Sequence, residues 1–240
     1  MFLRKKSYDL IFGLGEACSC SSSLRSSNLQ FRSFPFDWIF GSTFVERAKI
    51  LCGDFSQFIH RDALEKRGNN GVQAHLCDIY FDTVNGLGFN HDFPADCDLD
   101  EYFDKVFLKY HRRAERLLRF AKKSSKILVV WVDSPGSNWK KKSDKDFVLG
   151  LELLQKKFPN AQVDLLIFAW EQGLPFKKRT YQKITDHIEK YSFDYQFHHK
   201  KKQIADYIVD EKLVGKILKN YQLKMTFKEK FDNFFFKRRK

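Results

Sequence analysis

Residues 8–25 read YDLIFGLGEACSCSSSLR and contain the first strand and first helix of the predicted fold. The apolar run over residues 8–14 predicts a buried strand, and residues 17–27 predict a short helix. Cys18 lies where the strand turns into the helix, and the positive end of the helix dipole there favours a thiolate. The stretch therefore predicts a nucleophile at Cys18. The alternative is that Cys18 fills the core as a small buried side chain.

Two further runs are predominantly apolar, namely ILVVWV at residues 127–132 and VDLLIFA at residues 163–169, which is apolar apart from Asp164. Such runs are typical of strands that are covered on both faces. Amphipathic or capped helices are predicted over residues 43–58, 98–123, 143–158, 181–190 and 204–218. Strands that alternate with helices indicate an α/β fold, here a three-layer sandwich with a mostly parallel central sheet and helices on both faces.

The remaining segments predict connections and shorter strands. Residues 61–73 and 85–98 are rich in polar residues and glycine and are predicted as loops, the second of them carrying His91. Short strands are predicted near residues 76–83 and 193–197. We expect one α/β domain over residues 1–220, followed by a basic aromatic tail over residues 221–240.

The composition favours a soluble cytoplasmic protein. Of the 240 residues, 43% are hydrophobic, the mean hydropathy is −0.48, and no apolar run approaches the roughly 20 residues of a membrane span. The N-terminus resembles a signal peptide, but its apolar part is short, so we interpret it as the first strand. The odd number of cysteines has no framework spacing, which favours reduced thiols and a cytoplasmic compartment.

The net charge of +13 would attract an anionic lipid, an anionic glycan or nucleic acid. Nucleic acid is not expected, because the sequence contains none of the standard nucleic-acid-binding modules. The basic residues cluster at 140–142, 177–179, 200–202 and 237–240, and the alternative is a solvated lysine-rich surface. The segment from Phe227 to Lys240 mixes phenylalanine with lysine and arginine, which predicts contact with the inner membrane surface or docking on the domain.

Three residues with catalytic chemistry follow predicted strands. Ligands gather at the carboxyl ends of parallel strands, where we place Cys18, His91 and Asp133. A thiol nucleophile needs a base and a group that orients the base. His91 is the candidate base, although a lone histidine is often structural, and the carboxylate could come from Asp133, Asp37 or Asp92. Asp133 fits best because it ends a strand.

We expect neither a metal nor a cofactor. The set His75, Cys77, His91 and Cys97 matches no zinc-finger or zinc-ribbon spacing. The stretch GLGEAC is similar to a glycine-rich phosphate loop, but Cys18 replaces the third glycine. Gly15, together with the backbone N–H groups after Cys18, could instead stabilise an oxyanion.

Several motifs together resemble a known family. They are the strand and G-L-G-x-x-C start with Leu24-Arg25, the S-x-P-F-D-W stretch at residues 33–38, F-N-H-D-F at residues 89–93, Y-x-R-R-x-x-R-L at residues 110–117, and the strand at residues 127–132. This pattern resembles the papain-like cysteine peptidases, a bacterial family long listed as a domain of unknown function. The resemblance covers roughly residues 7–200.

The resemblance implies that Cys18 is the nucleophile, His91 its base and Asp133 the third member. Substrate binding is assigned to residues in or beside the motifs, namely Gly15, Arg25, Asp37, Trp38 and Asn90. The layered pattern is also similar to the flavodoxin-like fold of small esterases and acyltransferases. Family members are similar to proteins encoded with surface-polysaccharide enzymes, which implies hydrolysis or acyl transfer on a glycan or acyl donor. The alternative is a basic binding module without catalysis.

Overall fold

The computed structural model describes residues 5–133, 143–175, 178–194 and 211–225. Its helices are α1 (Ala17–Ser26), α2 (Phe44–Cys52), α3 (Leu99–Lys123), α4 (Asp144–Lys157) and α5 (Glu211–Leu218). Its strands are β1 (Lys6–Tyr8), β2 (Leu10–Gly15), β3 (Ile39–Gly41), β4 (Leu64–Asn69), β5 (Cys77–Asp82), β6 (Leu87–Pro94), β7 (Lys126–Val132), β8 (Gln162–Trp170), β9 (Thr180–Thr185), β10 (Ile188–Phe193) and β11 (Tyr221–Leu223).

The central sheet has the order β2-β7-β8-β10-β9 within the described residues. Its first four strands are parallel, and β9 is antiparallel at the edge. The predicted α/β class and mostly parallel sheet are therefore confirmed. The apolar runs form β7 and β8. Successive residues of a strand point to opposite sides, so the consecutive buried residues of both strands lie on both faces of the sheet.

The alternation of β7 divides the core into two clusters. Ile127, Val129 and Trp131 pack with residues of α2, α3 and α4, whereas Leu128 and Val130 pack with residues of α1 and α5. Successive residues of β7 thus belong to different clusters, and each cluster contains residues of helices. The first residues of three predicted helices, Thr43, Asp98 and Ser143, are the N-caps of α2, α3 and α4, and α2 and α4 begin with capping boxes.

A second, antiparallel sheet with the order β3-β6-β5-β4 was not predicted. The loops expected over residues 61–73 and 85–98 are wrong where they contain β4 and β6. The missed signal is Asn85-Gly86, a typical hairpin turn, where Gly86 has a φ of +65°. Apolar residues then recur on β6, whose Leu87, Phe89 and Phe93 are buried.

The helix predicted over residues 181–190 is also wrong, because this segment forms the hairpin of β9 and β10. The segment mixes residues that favour strands with residues that favour helices, and β10 pairs in parallel with β8 along its whole length. Beyond the predicted domain end at residue 220, β11 pairs with β1, and Tyr221 is buried. Residues 226–240, and most of the predicted basic clusters, lie outside the described residues.

Candidate active site

Cys18 lies in the first turn of α1, directly after the carboxyl end of β2. Ala17 has a φ of +53°, a left-handed conformation that residues other than glycine rarely adopt. The pairing of β2 with β7 also shifts register between Gly13 and Gly15. The chain therefore reverses within two residues of the strand and holds the Cys18 thiol at the edge of the central sheet.

His91 comes from β6 of the antiparallel sheet, and its Nε2 lies 3.5 Å from the Cys18 Sγ. On β6, residues 90–92 lie between the pairs Tyr80–Phe89 and Asp78–Phe93, whereas β5 has one residue there. Such a bulge re-aims side chains and is common beside active sites. The two predicted catalytic residues, 73 positions apart, are thus brought into contact.

Asp92, the residue after His91, anchors strand β6. Asp92 is buried and accepts hydrogen bonds from the Tyr110 hydroxyl, at 2.7 Å, and from the Lys109 ammonium. Both donors belong to α3, so Asp92 fastens β6 to this helix. Asp92 is therefore occupied in packing and does not orient the His91 ring.

Three predicted substrate-binding residues form a series of contacts that ends at His91. The Trp38 ring meets the His91 ring edge-on, with centroids 6.5 Å apart. The Arg25 guanidinium lies over Trp38, 5.6 Å from the ring centroid, and forms an ion pair with Asp37 at 3.2 Å. In this arrangement Trp38 contacts the candidate base directly, and Arg25 and Asp37 support Trp38.

Asp37 is the buried end of this series of contacts. Its carboxylate accepts hydrogen bonds from the Gln30 side chain at 2.8 Å and from the Phe34 N–H at 2.9 Å. Burial raises the pKa of Asp37, although these hydrogen bonds and Arg25 lower it in part. Asp37 therefore fixes the loop that precedes Trp38.

Asp133 does not contact His91. Its carboxylate accepts hydrogen bonds from the Trp131 indole at 2.7 Å and from the Trp170 N–H at 3.3 Å. In the described part of the chain, no carboxylate is hydrogen-bonded to the His91 ring. The geometry is that of a dyad, and the third role of Asp133 stays a prediction.

The other two assigned residues have different surroundings. A Cβ atom on Gly15 would lie 2.1 Å from the Trp131 ring, so this position has room for glycine alone. Asn90 adjoins His91, and its backbone carbonyl accepts a hydrogen bond from Asn70 at 3.1 Å. The Asn90 side-chain oxygen is buried and has no hydrogen-bond partner among the described residues.

Burial decides the protonation state of the nucleophile. It raises the pKa of the Cys18 thiol above its usual range, and the backbone N–H of Cys18 offsets this only in part. The predicted preference for a thiolate at the helix N-terminus is therefore outweighed by desolvation. The raised pKa of Cys18 favours the protonated thiol at neutral pH.

Alkylation of Cys18 by iodoacetamide is expected to accelerate throughout the range from about pH 7 to about pH 9, by roughly tenfold per unit. The reason is that the thiolate is the reacting species and the raised pKa keeps it scarce below this range. The rate is measured by mass spectrometry of the Cys18 peptide, with the urea-unfolded chain as the control. A plateau already reached below pH 7 would indicate a resting thiolate–imidazolium pair and contradict the expectation.

Arg47 supports the turn that carries Cys18 and was not singled out from the sequence. This fully buried side chain donates to the backbone oxygens of Leu14 at 2.7 Å, Ile39 at 3.1 Å and Gly41 at 2.6 Å. Burial lowers the pKa of Arg47 to about 10, and the negative charge of Glu16 raises it in part. Arg47 lies on the same face of α2 as Phe44, Ala48 and Leu51, so an arginine within an apolar stripe was the available signal.

No group of three or more histidine, cysteine or acidic side chains suited to a metal occurs among the described residues. The absence of a cofactor stays a prediction. No described helix has the length and apolar character that crossing a bilayer requires. Comparisons of the chain with protein-family models, curated proteins and solved structures found no match.

Proposed function

We propose that this protein is a cysteine-dependent hydrolase or acyltransferase that uses a Cys18–His91 dyad. The observation that carries the proposal is the 3.5 Å contact between the Cys18 thiol, on the helix that follows β2 of the central sheet, and the His91 imidazole, on β6 of the antiparallel sheet. A nucleophile within reach of a base is the minimal arrangement for covalent acyl chemistry. The family resemblance to papain-like cysteine peptidases gives independent support, since its motifs contain both residues.

In the first half of the reaction, His91 Nε2 accepts the Cys18 proton while the sulfur attacks the carbonyl carbon of an ester or amide. The carbonyl electrons move to oxygen, and the first-turn N–H groups of α1, which have no acceptor within the helix, face the developing charge. When the C–O or C–N bond breaks, the imidazolium returns its proton to the leaving alcohol or amine. The product is an acyl thioester on Cys18.

In the second half, His91 removes a proton from the acceptor, and the acceptor oxygen attacks the thioester carbon. The carbon–sulfur bond breaks, and the Cys18 sulfur recovers the proton from His91. Water as acceptor makes the protein a hydrolase, and a sugar hydroxyl makes it an acyltransferase in surface-polysaccharide assembly. The same two residues serve both outcomes.

The proposal also includes the layered architecture, the cellular location and a membrane contact. A three-layer sandwich is supported by the two core clusters, which are covered by α2, α3 and α4 on one side and by α1 and α5 on the other. A cytoplasmic location is supported by the free state of all five cysteines. Contact of residues 227–240 with the inner membrane surface is supported by their sequence alone.

The function is tested with p-nitrophenyl acetate, which has a good leaving group. We expect a burst of one p-nitrophenolate per active chain and an acetyl thioester on Cys18 that is identified by mass spectrometry and cleaved by hydroxylamine. Cys18→Ala abolishes both, whereas the matched variant Cys97→Ala retains them. Acetylation spread evenly over the five cysteines would show that Cys18 is not a nucleophile.

A further inference from the structure

Four arginines lie close together on α3. Arg112, Arg116 and Arg119 share one face, because positions four and seven residues apart in a helix lie almost in line. Arg113 flanks this face, and Arg32 reaches the same region from the loop after α1. We refer to Arg32, Arg112, Arg113, Arg116 and Arg119 as the arginine cluster.

The cluster lacks counter-charges. In the described ranges no carboxylate oxygen lies within 4.0 Å of any of the five guanidinium groups. By contrast, Lys109 on the same helix is paired with Asp92, and Lys157 on α4 is paired with Asp54. Burial lowers the pKa of Arg116, and the neighbouring arginines lower it further. A bound anion would reduce the repulsion between positive charges that lie close together without a counter-ion.

The guanidinium groups are held in place by packing. Arg113 lies over the Tyr110 ring at 5.2 Å, and Arg119 lies over the Phe120 ring at 5.8 Å. The Nη1 atom of Arg113 is also buried without a hydrogen-bond acceptor among the described residues. Because this atom is shielded from solvent, an anion at the surface would contact the exposed side chains of Arg112 and Arg119 instead.

The cluster is connected to the dyad through Ser33. Arg116 donates to the Ser33 carbonyl at 2.8 Å, and Arg25 donates to the Ser33 hydroxyl at 3.0 Å. Arg25 in turn lies over Trp38, which meets the His91 ring. On the other side, α3 holds the strand of His91 through Asp92. A ligand on the cluster would therefore bind next to the elements that position the base.

We propose that the arginine cluster is an anion-binding subsite of the Cys18–His91 site and that the substrate carries a phosphate group. This inference rests on the proposed function for its link to catalysis. Phosphate fits because the planar guanidinium fork donates two parallel hydrogen bonds to it. A phosphate monoester also carries about two negative charges at neutral pH, which suits several unpaired arginines better than a single carboxylate does.

The test is calorimetric titration of the full chain with inorganic pyrophosphate at low salt. Arg112→Gln combined with Arg116→Gln is expected to weaken binding by roughly tenfold to a hundredfold, because two charge-assisted hydrogen-bonding groups are lost. The matched control combines Lys145→Gln with Lys156→Gln, which removes two exposed cations from α4 and is expected to leave binding unchanged. Thermal melting confirms that both double variants are folded.

Equal affinities of the wild-type chain and the arginine double variant would overturn the inference. Much tighter binding of a single-stranded oligonucleotide through the same arginines would also overturn it, in favour of a nucleic-acid partner. Arginine-dependent pyrophosphate binding without an acetyl thioester on Cys18 would support the anion subsite and reject the proposed catalysis. Thioester formation without pyrophosphate binding would support the proposed catalysis and reject the anion subsite.

Discussion

Replacement of His91 by alanine is expected to slow hydrolysis of the acetyl thioester on Cys18 by at least about a hundredfold. In the proposed second half-reaction His91 is the base that removes the proton from water, and no carboxylate among the described residues is hydrogen-bonded to its ring. The acetylated chain is freed of reagent by desalting, and loss of the acetyl group is followed by mass spectrometry.

His111→Ala is the matched control for this prediction, because His111 is an exposed histidine of α3 that pairs with Glu115. Its acetyl thioester is expected to have the wild-type lifetime. If the thioester decays at the same rate in His91→Ala as in the wild type, His91 is not the base. The 3.5 Å contact would then be a packing contact.

Replacement of Arg47 by methionine is expected to lower the free energy of unfolding by about 3–5 kcal/mol. The change keeps an unbranched side chain but leaves the carbonyls of Leu14, Ile39 and Gly41 without this donor. It also leaves the buried Glu16 without the positive charge of Arg47. Urea denaturation followed by circular dichroism gives the free energy of unfolding.

Lys49→Met is the control for Arg47, since Lys49 is an exposed cation of the same helix. It is expected to change stability by less than about 0.5 kcal/mol. Arg47→Lys keeps the charge but cannot reach three carbonyls at once, so we expect an intermediate loss. A loss for Arg47→Met no larger than that for Lys49→Met would show that the buried guanidinium does not hold the turn beside Cys18.

The elements that the sequence predicts best are those whose secondary structure is specified by local signals within the element. The apolar runs of β7 and β8 and the caps of α2, α3 and α4 are local signals, and each is observed. Hairpin β9–β10 was mistaken for a helix because its state depends on pairing with β8, a contact distant in sequence. Tertiary pairing of this kind overrides weak local preference.

For the candidate site, the residue types could be recognised but their environment could not. Cys18 and His91 were singled out, and they are in contact. The sequence could not show that Asp133 bonds to Trp131 and Trp170, because these contacts depend on how two strand ends meet. Nor could it show that desolvation would outweigh the helix dipole at Cys18, because burial is a property of the assembled fold.

Cys18 lies on the helix that follows β2 of the central sheet, and His91 lies on β6 of the antiparallel sheet, so neither part of the fold alone contains the dyad. During folding, a molecule in which only the parallel strands have formed would hold its thiol without a partner base. The proposed acyl chemistry at Cys18 therefore requires that the two sheets are packed together, because only then does the thiol meet its base. A newly synthesised molecule would gain its proposed acyl chemistry only on reaching its finished form.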